Sequence, residues 1–201
     1  MPSTTAFANL LGASLLLLAA GPAAAANVAL NGTASQSSTG FGGLAERAID
    51  GNRSGSYFDV QSVSHTNNGD PDPAAGLFEF WEVALDQAYN VGAVLVFNRT
   101  DCCQERLDPF RVSLWNGTSE VAHADVDTFL ADITGPSISG MSFDFGGALG
   151  DRVRVQLRAQ DYLHLAEVEV YDAPAPVPLP GAVWMLGSAL LGGLGLARKR
   201  G

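Results

Sequence analysis

The chain has a single lysine among its 201 residues and only two cysteines, which are neighbours at positions 102 and 103. A scaffold of several disulfides is therefore excluded, and in an exported protein these cysteines can pair only with each other or with another molecule. Catalytic patterns are also missing, since no serine lies in a nucleophile elbow and the three histidines form no metal-binding cluster. These absences argue against an enzyme.

The N-terminus carries an apolar run with no charge beside it. Residues 10–20 are mostly apolar, and a Gly-Pro pair and four alanines follow before Asn27. This pattern predicts a secretory signal peptide over residues 1–26, with a small-residue cleavage site at its end. No Lys or Arg precedes the apolar run, and the alternative is a buried N-terminal helix.

The C-terminus carries a second apolar run. After a Pro-rich linker, residues 173–180, the run covers residues 181–197 and ends in Arg198, Lys199 and Arg200. Its length is at the short end of a membrane span, and the basic residues would stay on the cytoplasmic side. The tail, residues 181–201, resembles a PEP-CTERM sorting signal, which implies transient membrane contact and processing by a bacterial exosortase. A permanent anchor is the alternative. We expect a protein secreted from, or held on the surface of, a Gram-negative bacterium.

The segment between these ends, residues 27–172, is long enough for one domain with a single core. Removing the three basic residues of the tail leaves eight of the eleven against 21 acidic residues, a formal charge of −13. Such a surface disfavours nucleic acid as a partner. It suits a soluble protein that binds neutral or cationic ligands.

Most of this domain shows the alternation of apolar and polar residues that is typical of β-strands. No segment of it has a sustained helical period, and Gly, Asn, Asp and Pro separate the alternating runs. The sequence therefore predicts an all-β fold, an antiparallel β-sandwich. The predicted strands include residues 81–85, 94–97, 110–114, 141–145, 153–157 and 167–170.

The stretch RTDCCQER, residues 99–106, is the most informative part of the chain. Two arginines flank the adjacent cysteines and are interleaved with acidic residues. A ring closed by adjacent cysteines is strained, because neighbouring Cα atoms lie about 3.8 Å apart and disulfides prefer roughly 4.4–6.8 Å. Strain of this kind tends to mark a functional site. The alternative is a surface cluster of ion pairs beside an incidental pair of cysteines.

This stretch resembles the sugar-contacting motif of the F-type lectins, the fucose-binding fucolectins. The resemblance implies a disulfide between the two cysteines and a shallow sugar pocket formed by His65, Arg99, Asp101, Cys102, Cys103 and Arg106. Arginine offers a fixed fork of hydrogen-bond donors to sugar hydroxyls, and Asp101 and Glu105 would orient the two guanidinium groups. The cystine would offer an apolar face. Residues 71–80 make the spacing from His65 to Arg99 longer than is usual in that family.

The order of segments also resembles the discoidin, or coagulation-factor C-domain, jelly roll, to which the F-type lectins belong. The matching segments are residues 27–38, the turn at 48–52 and the closing strand at 163–170. In that family a Ca²⁺ ion is held by oxygen ligands, which a hard cation prefers. The resemblance assigns these ligands to Arg47 (main chain), Asp50, Asn52, Ser62, Ala166 (main chain) and Glu167. The alternative is an ordinary Asx turn at Asp50.

We therefore predict an exported, calcium-supported lectin without enzymatic activity that binds terminal L-fucose or a related glycan. Its partners would be fucosylated glycans or extracellular polysaccharide. One alternative is a biofilm-matrix interaction protein that does not bind fucose. Another is a discoidin-like module that binds lipid or protein through exposed apolar loop tips, which the sequence alone does not identify.

Overall fold

The computed structural model describes residues 25–58, 62–69, 74, 77–129 and 140–173. Nearly all of the predicted signal peptide and linker, and the whole sorting tail, lie outside these ranges and stay predictions. Within the described ranges, no helix is both long enough and apolar enough to cross a membrane.

Strands dominate the described part of the chain. They are β1 (Thr33–Gln36), β2 (Ser64–His65), β3 (Phe80–Asn98), β4 (Phe110–Asn116), β5 (Ser119–Val126), β6 (Met141–Leu157) and β7 (His164–Asp172). Short 3-10 helices lie at Val28–Asn31, Ala45–Ile49 and Gln104–Leu107.

All strand pairs are antiparallel, in the order β2-β7-β3-β6-β4-β5, with β1 added beside β3. The two longest strands, β3 and β6, belong to both layers of the sandwich. The start of β3 pairs with β1 and with the end of β6, whereas its second half pairs with β7 and with the start of β6. Register shifts between Ala84 and Tyr89 separate the two halves. The predicted antiparallel β-sandwich is confirmed.

The core lies between the layers and contains the residues that the alternation predicts. Trp81 and Val83 of β3 are buried while Ala84 is exposed, and Phe110 and Val112 of β4 are buried beside the half-buried Arg111. The Trp81 indole N–H donates to the Ala45 carbonyl at 2.9 Å, so its one polar group is satisfied inside the core.

The closing strand β7 departs from simple alternation. Its valines are buried, but so are Glu167 and Glu169 on the opposite face. The segment after residue 50 covers that face: the Gly51 amide donates to Glu167 Oε1 at 3.1 Å, and Arg53 binds both carboxylate oxygens of Glu169 at 2.6 and 2.9 Å. A strand with acids on alternate positions is therefore buried on both faces.

The sandwich brings several loops together at one end. The loop after β3 carries residues 99–103, β2 ends at His65, and the segment before β7 carries Tyr162. Loops 37–43 and 50–58 close the same end, because the His65 amide donates to the Gly43 carbonyl and the Thr100 amide donates to the Gly55 carbonyl.

Candidate binding site

A pocket of about 200 Å³ opens at this end. Of the described residues, those lining it are Phe41, Tyr57, Phe58, His65, Arg99 and Arg106. The fold thus brings together three of the predicted side chains, His65 from β2 and the two arginines from the segment after β3.

Arg99 and Tyr57 form one wall of the pocket. The Arg99 side chain is only 7 % exposed and donates from Nε and Nη2 to the two carboxylate oxygens of Asp101. Its guanidinium carbon lies 4.7 Å from the centre of the Tyr57 ring. Burial opposes ionisation of Asp101, but the hydrogen bond and charge of Arg99 outweigh it and lower the pKa of that carboxyl. Within the described part of the chain, Nη1 makes no hydrogen bond.

The second wall is Arg106, which lies over the ring of Tyr162 and repeats this chemistry more loosely. The Arg106 guanidinium carbon lies 4.9 Å from the centre of the Tyr162 ring, and its side chain is 32 % exposed. Its carboxylate neighbour is Asp161, at 3.6 Å from Nε. We had expected Glu105 in this role, but Glu105 is exposed, and the loop before β7 supplies the acid instead.

His65 is the floor between the two walls. Its ring centre lies 4.9 Å from that of Phe41, 5.9 Å from Tyr57 and 5.6 Å from Tyr162. Nδ1 lies 2.6 Å from the Thr66 carbonyl, which can only accept, so the neutral ring carries its proton on Nδ1 and Nε2 keeps a lone pair. Burial lowers the pKa of His65; the Thr66 contact opposes this, and the charges of both arginines reinforce it. The neutral form is therefore favoured.

A second histidine lies beneath the first. His164, the first residue of β7, is fully buried, and its ring centre is 5.4 Å from that of His65. Neither of its ring nitrogens has a hydrogen-bond partner among the described residues. Burial, with the nearby charges of His65, Arg99 and Arg106, lowers its pKa to about 3. No pattern in the sequence marks His164 for a role.

Cys102 and Cys103 form the predicted vicinal disulfide. They lie in the loop between the arginines, with Cys103 in the left-handed backbone region at φ 60°. The described lining of the pocket does not include them. Buried Asn98 ties this loop together: its side chain donates to the Gln104 carbonyl at 2.9 Å and accepts from the Arg99 amide at 2.7 Å.

The aromatic lining was missed by the sequence analysis. Phe41 and Phe58 are 69 % and 86 % exposed, so the structure supplies the apolar loop tips that the sequence did not identify. Phe41 stands alone among glycines in TGFGG, and Tyr57 and Phe58 are adjacent in a polar loop. Isolated aromatics in Gly- and Ser-rich loops were the available signal, because a loop rarely has a core reason to hold them.

Glu79 was also missed, although it lies in the segment 71–80. It is a buried acid in the apolar run LFEFW, and it accepts hydrogen bonds from the Ser37 hydroxyl, the Ser38 hydroxyl at 2.9 Å and the Gly69 amide at 2.9 Å. Ser38 in turn accepts from the Asn67 amide at 2.9 Å. One carboxylate therefore joins the start of loop 37–43 to the segment that follows His65.

Of the predicted metal ligands, Asp50 lies close to the carboxylate of Glu167. Its Oε1 accepts from Gly51, and its Oε2 is buried without a partner among the described residues. Burial, with the nearby charges of Asp50 and Glu169, raises the pKa of Glu167 to about 7. Asp50 also forms the Asx turn considered above, since it accepts from the Asn52 amide at 2.8 Å.

The remaining predicted ligands have partners of their own or are main-chain oxygens. Asn52 accepts from Ser54 at 3.0 Å, and the Ser62 hydroxyl donates to the Ser56 carbonyl. In the described ranges, no three side chains of His, Cys, Asp or Glu form a metal cluster. The orphaned oxygen of Glu167 and the oxygen-only donor set nevertheless fit a hard cation.

A larger groove of about 270 Å³ is lined by residues of β3 and β6 and by the turn at Gly117, and it shares no lining residue with the first pocket. Its arginine, Arg152, donates to the Gly117 carbonyl and lies 3.9 Å from Glu82, and Asp151 accepts from the Gly117 amide. These groups satisfy one another, so the smaller pocket is the better candidate for a ligand.

Comparisons with known protein families and solved structures agree with this fold and this pocket. The family model of the NedA-like, galactose-binding domain matches residues 47–155, over half of the chain. Within this class, the chain is 35 % identical over 152 residues to Fucolectin-5 of Anguilla japonica, covering 72 % of this chain and 75 % of that protein. The chain belongs to the fucolectin, or F-type lectin, family.

Solved structures give the same result. A fucose-binding module of Streptococcus pneumoniae is 34 % identical with a TM-score of 0.64, and the match covers 74 % of this chain and 96 % of that module. The lectin domain of lectinolysin, solved in complex with the Lewis b antigen, is 35 % identical with a TM-score of 0.64, covering 74 % and 97 %. A galactose-bound family 32 module from C. perfringens, 19 % identical, shares the fold.

Proposed function

We propose that this protein is an exported lectin that binds terminal L-fucose, or a closely related sugar, of a glycan or extracellular polysaccharide. The observation that carries the proposal is the convergence of two guanidinium groups and one neutral imidazole on a single small pocket. Fucose-binding relatives with over 30 % identity support the choice of sugar.

The chemistry of the pocket suits a neutral sugar. Sugar hydroxyls both donate and accept, while Arg99 and Arg106 can only donate. His65 Nε2 supplies the complementary acceptor, because Thr66 holds the proton on Nδ1. A hydroxyl can therefore donate to His65 while its oxygen accepts from an arginine. The aromatic rings offer apolar surface to the methyl group of a 6-deoxy sugar.

The described lining of the pocket does not offer the carboxyl groups that a glycosidase uses. Such enzymes use two carboxyl groups across the scissile bond. None of the described lining residues is an acid, and the carboxylate beside Arg99, Asp101, is bound to Arg99 and to the Tyr57 amide at 3.2 Å.

Calorimetric titration with methyl α-L-fucoside tests this function, with methyl α-D-mannoside as the control sugar. We expect saturable binding that Arg99→Ala weakens by about ten- to a hundredfold. Arg111→Ala is the matched control variant, because Arg111 also makes a two-pronged contact with an acid, Asp125 at 2.6 and 3.0 Å, but lies on β4 away from the pocket. A wild-type protein that ignores the fucoside would favour the fucose-independent matrix protein.

A Ca²⁺ ion that supports the fold is part of the proposal. Asp50, Asn52, Ser62 and Glu167, with the main-chain oxygens of Arg47 and Ala166, would hold it. A cation would bind the unpartnered oxygen of Glu167. It would also offset the repulsion between that carboxylate and the nearby Asp50 and Glu169. Its role would be to fasten the turn at residue 50, and with it the loop that continues to Tyr57, onto β7.

Thermal melts with calcium and with chelator test the ion. Binding to the folded state alone stabilises by about 2.7 kcal/mol at a hundred times the dissociation constant. Asp50→Ala should remove the difference between the two melts. Asp144→Ala is the matched control, because Asp144 also caps its own turn, accepting from Gly146 at 2.8 Å, without a buried acid beside it. Identical wild-type melts would contradict the site.

Export and tail processing complete the proposal. The apolar run and basic end of residues 181–201, after a Pro-rich linker, support a sorting signal that is removed. The intact mass of the protein recovered from outside its native cells measures this directly. A mature extracellular protein that keeps residues 181–201 would favour the permanent anchor instead.

A further inference from the structure

The tip of loop 37–43 presents an aromatic ring in an unusual backbone conformation. Phe41 has φ 52° and is 69 % exposed, at the rim of the sugar pocket. A bulky residue in the left-handed region costs free energy relative to glycine, and exposing a phenylalanine ring costs the gain from burying it. Conformations of this kind persist where the surrounding structure enforces them, and they cluster at binding sites.

Contacts from three neighbouring segments hold Phe41 in place. The Tyr57 hydroxyl donates to the Phe41 carbonyl at 2.6 Å. The ring of Phe41 packs edge-on against His65, with centres 4.9 Å apart, and against Tyr162 at 6.0 Å. These rings belong to loop 50–58, to β2 and to the segment before β7, so the exposed ring is pre-positioned by three separate parts of the fold.

The loop backbone on either side of Phe41 is packed closely at Gly40 and Gly43. Gly40 donates to the His65 carbonyl at 2.8 Å, and a Cβ at Gly40 or Gly43 would collide with the backbone of Thr66 or His65. Glu79, through Ser37 and Ser38, fastens the start of the same loop. Phe41 therefore stays at the rim rather than folding into the pocket.

The pocket itself is small. Its volume of about 200 Å³ lies below the roughly 300–1,000 Å³ of sites that enclose drug-sized ligands, so it suits one monosaccharide. The polar groups that can hydrogen-bond to sugar hydroxyls lie inside the pocket, on Arg99, Arg106 and His65. Any contact with a longer glycan must come from the rim, where Phe41 offers an apolar ring beside the exit.

We propose that Phe41 forms a second, apolar subsite, which stacks against the pyranose ring to which the terminal fucose is linked. The inference rests on the proposed fucose pocket and adds a preference for at least a disaccharide. The exposed C–H face of a pyranose is apolar enough to pack on an aromatic ring, and a ring that is already ordered loses little conformational entropy on binding.

Phe58, the other exposed aromatic of the rim, is the natural comparison. It is 86 % exposed, and among the described aromatic rings its contact is with Tyr57 alone, at 5.7 Å. It thus has the apolar surface of Phe41 without the same support. Substituting each phenylalanine in turn separates a pre-positioned ring from an exposed one.

The test compares one monosaccharide with disaccharides by calorimetric titration of the whole protein. The probes are methyl α-L-fucoside and the fucosyl disaccharides α1,2-galactose, α1,3-N-acetylglucosamine and α1,4-N-acetylglucosamine. We expect the preferred disaccharide to bind the wild type more tightly than the fucoside. Because Phe41 also lines the pocket, Phe41→Ala should weaken both ligands, but the loss for that disaccharide should be about three- to tenfold greater than the loss for the fucoside. Phe41→Tyr should restore the preference, and Val121→Ala, an exposed control on β5, should change neither.

Several results would overturn the subsite. Equal loss of both ligands in Phe41→Ala would place Phe41 in the monosaccharide pocket, and no loss would leave it without a role. A disaccharide preference that follows Phe58→Ala instead would move the subsite to Phe58. Phe41-dependent binding to phosphatidylcholine vesicles would indicate a lipid contact. Absence of binding to any of these sugars would overturn the fucose pocket together with the subsite, whereas fucoside binding without a disaccharide preference overturns the subsite alone.

Discussion

The two walls of the pocket use the same parts and differ in how tightly they are held. Arg99 is nearly buried, stacked on Tyr57, and bound by two hydrogen bonds to Asp101. Arg106 is about one-third exposed, stacked on Tyr162, and 3.6 Å from Asp161. Pre-positioned donors cost less conformational entropy on binding. We infer that Arg99 fixes the position of the bound sugar and that the Arg106 side chain adjusts to that position.

The largest effect we expect is a loss of folding stability in acid. It should act through the histidines of the pocket and so disturb both walls at once. The pKa of His164 is about 3 in the folded protein and near 6.5 when unfolded. As pH falls below 6.5, the unfolded chain takes up a proton that the folded protein cannot accept. Stability that is present above pH 6.5 is thus lost towards pH 3, by up to about 5 kcal/mol.

Urea unfolding of the wild type and of His164→Phe between pH 7 and pH 3.5 measures this loss. At pH 7 the variant should be at most about 1 kcal/mol less stable than the wild type. The ring nitrogens of His164 have no hydrogen-bond partners to lose among the described residues. It should lose less stability in acid. Parallel curves for the two proteins would show that His164 does not titrate in this way.

Removing the tighter wall should be the most damaging single change to sugar binding. Charge-assisted hydrogen bonds contribute roughly 1.5–3 kcal/mol, so Arg99→Ala should weaken fucoside binding by about ten- to a hundredfold. Arg99→Lys should fail similarly, because an ammonium group cannot bind Asp101 and a sugar with one planar fork. Calorimetry measures affinity, and a melting curve checks that the domain is folded. Near-normal binding by Arg99→Lys would show that charge alone suffices.

The looser wall should matter less. Arg106→Ala should weaken binding by about tenfold, and Arg106→Lys should keep part of the affinity, since a partly exposed ion pair adds little. The same titration decides whether the walls differ. Equal losses for alanine at positions 99 and 106 would contradict the division of roles drawn above.

The smallest expected effect concerns the two tyrosines on which the arginines stack. Tyr57→Phe keeps the ring beneath Arg99 but removes the hydrogen bond to Phe41, which should lower stability by about 0.5–1 kcal/mol. Fucoside affinity should fall by less than about threefold. Tyr162→Phe is the matched variant for the other wall and should leave both quantities nearly unchanged. A tenfold loss of affinity in Tyr57→Phe would mean that its hydroxyl contacts the sugar.

Much of this protein follows from the sequence by itself. Alternation in β3, β4 and β6 predicts which side chains are buried, because a strand in a two-layer sandwich has one face on the core. The resemblance of residues 99–106 to a known sugar-contacting motif implies the paired cysteines and the two pocket arginines, and all of these residues lie within one short segment of the chain.

Tertiary structure alone decided the rest, because the remaining contacts join residues that are far apart in the chain. Asp161 rather than Glu105 lies beside Arg106, since the loop before β7 packs against that wall. Glu167 and Glu169 are buried, although they alternate with valines, because loop 50–58 covers the outer face of β7. The floor of the pocket is likewise a product of strand pairing: His65 lies opposite His164 across β2 and β7, ninety-nine residues away, and no local pattern in the sequence encodes that pairing.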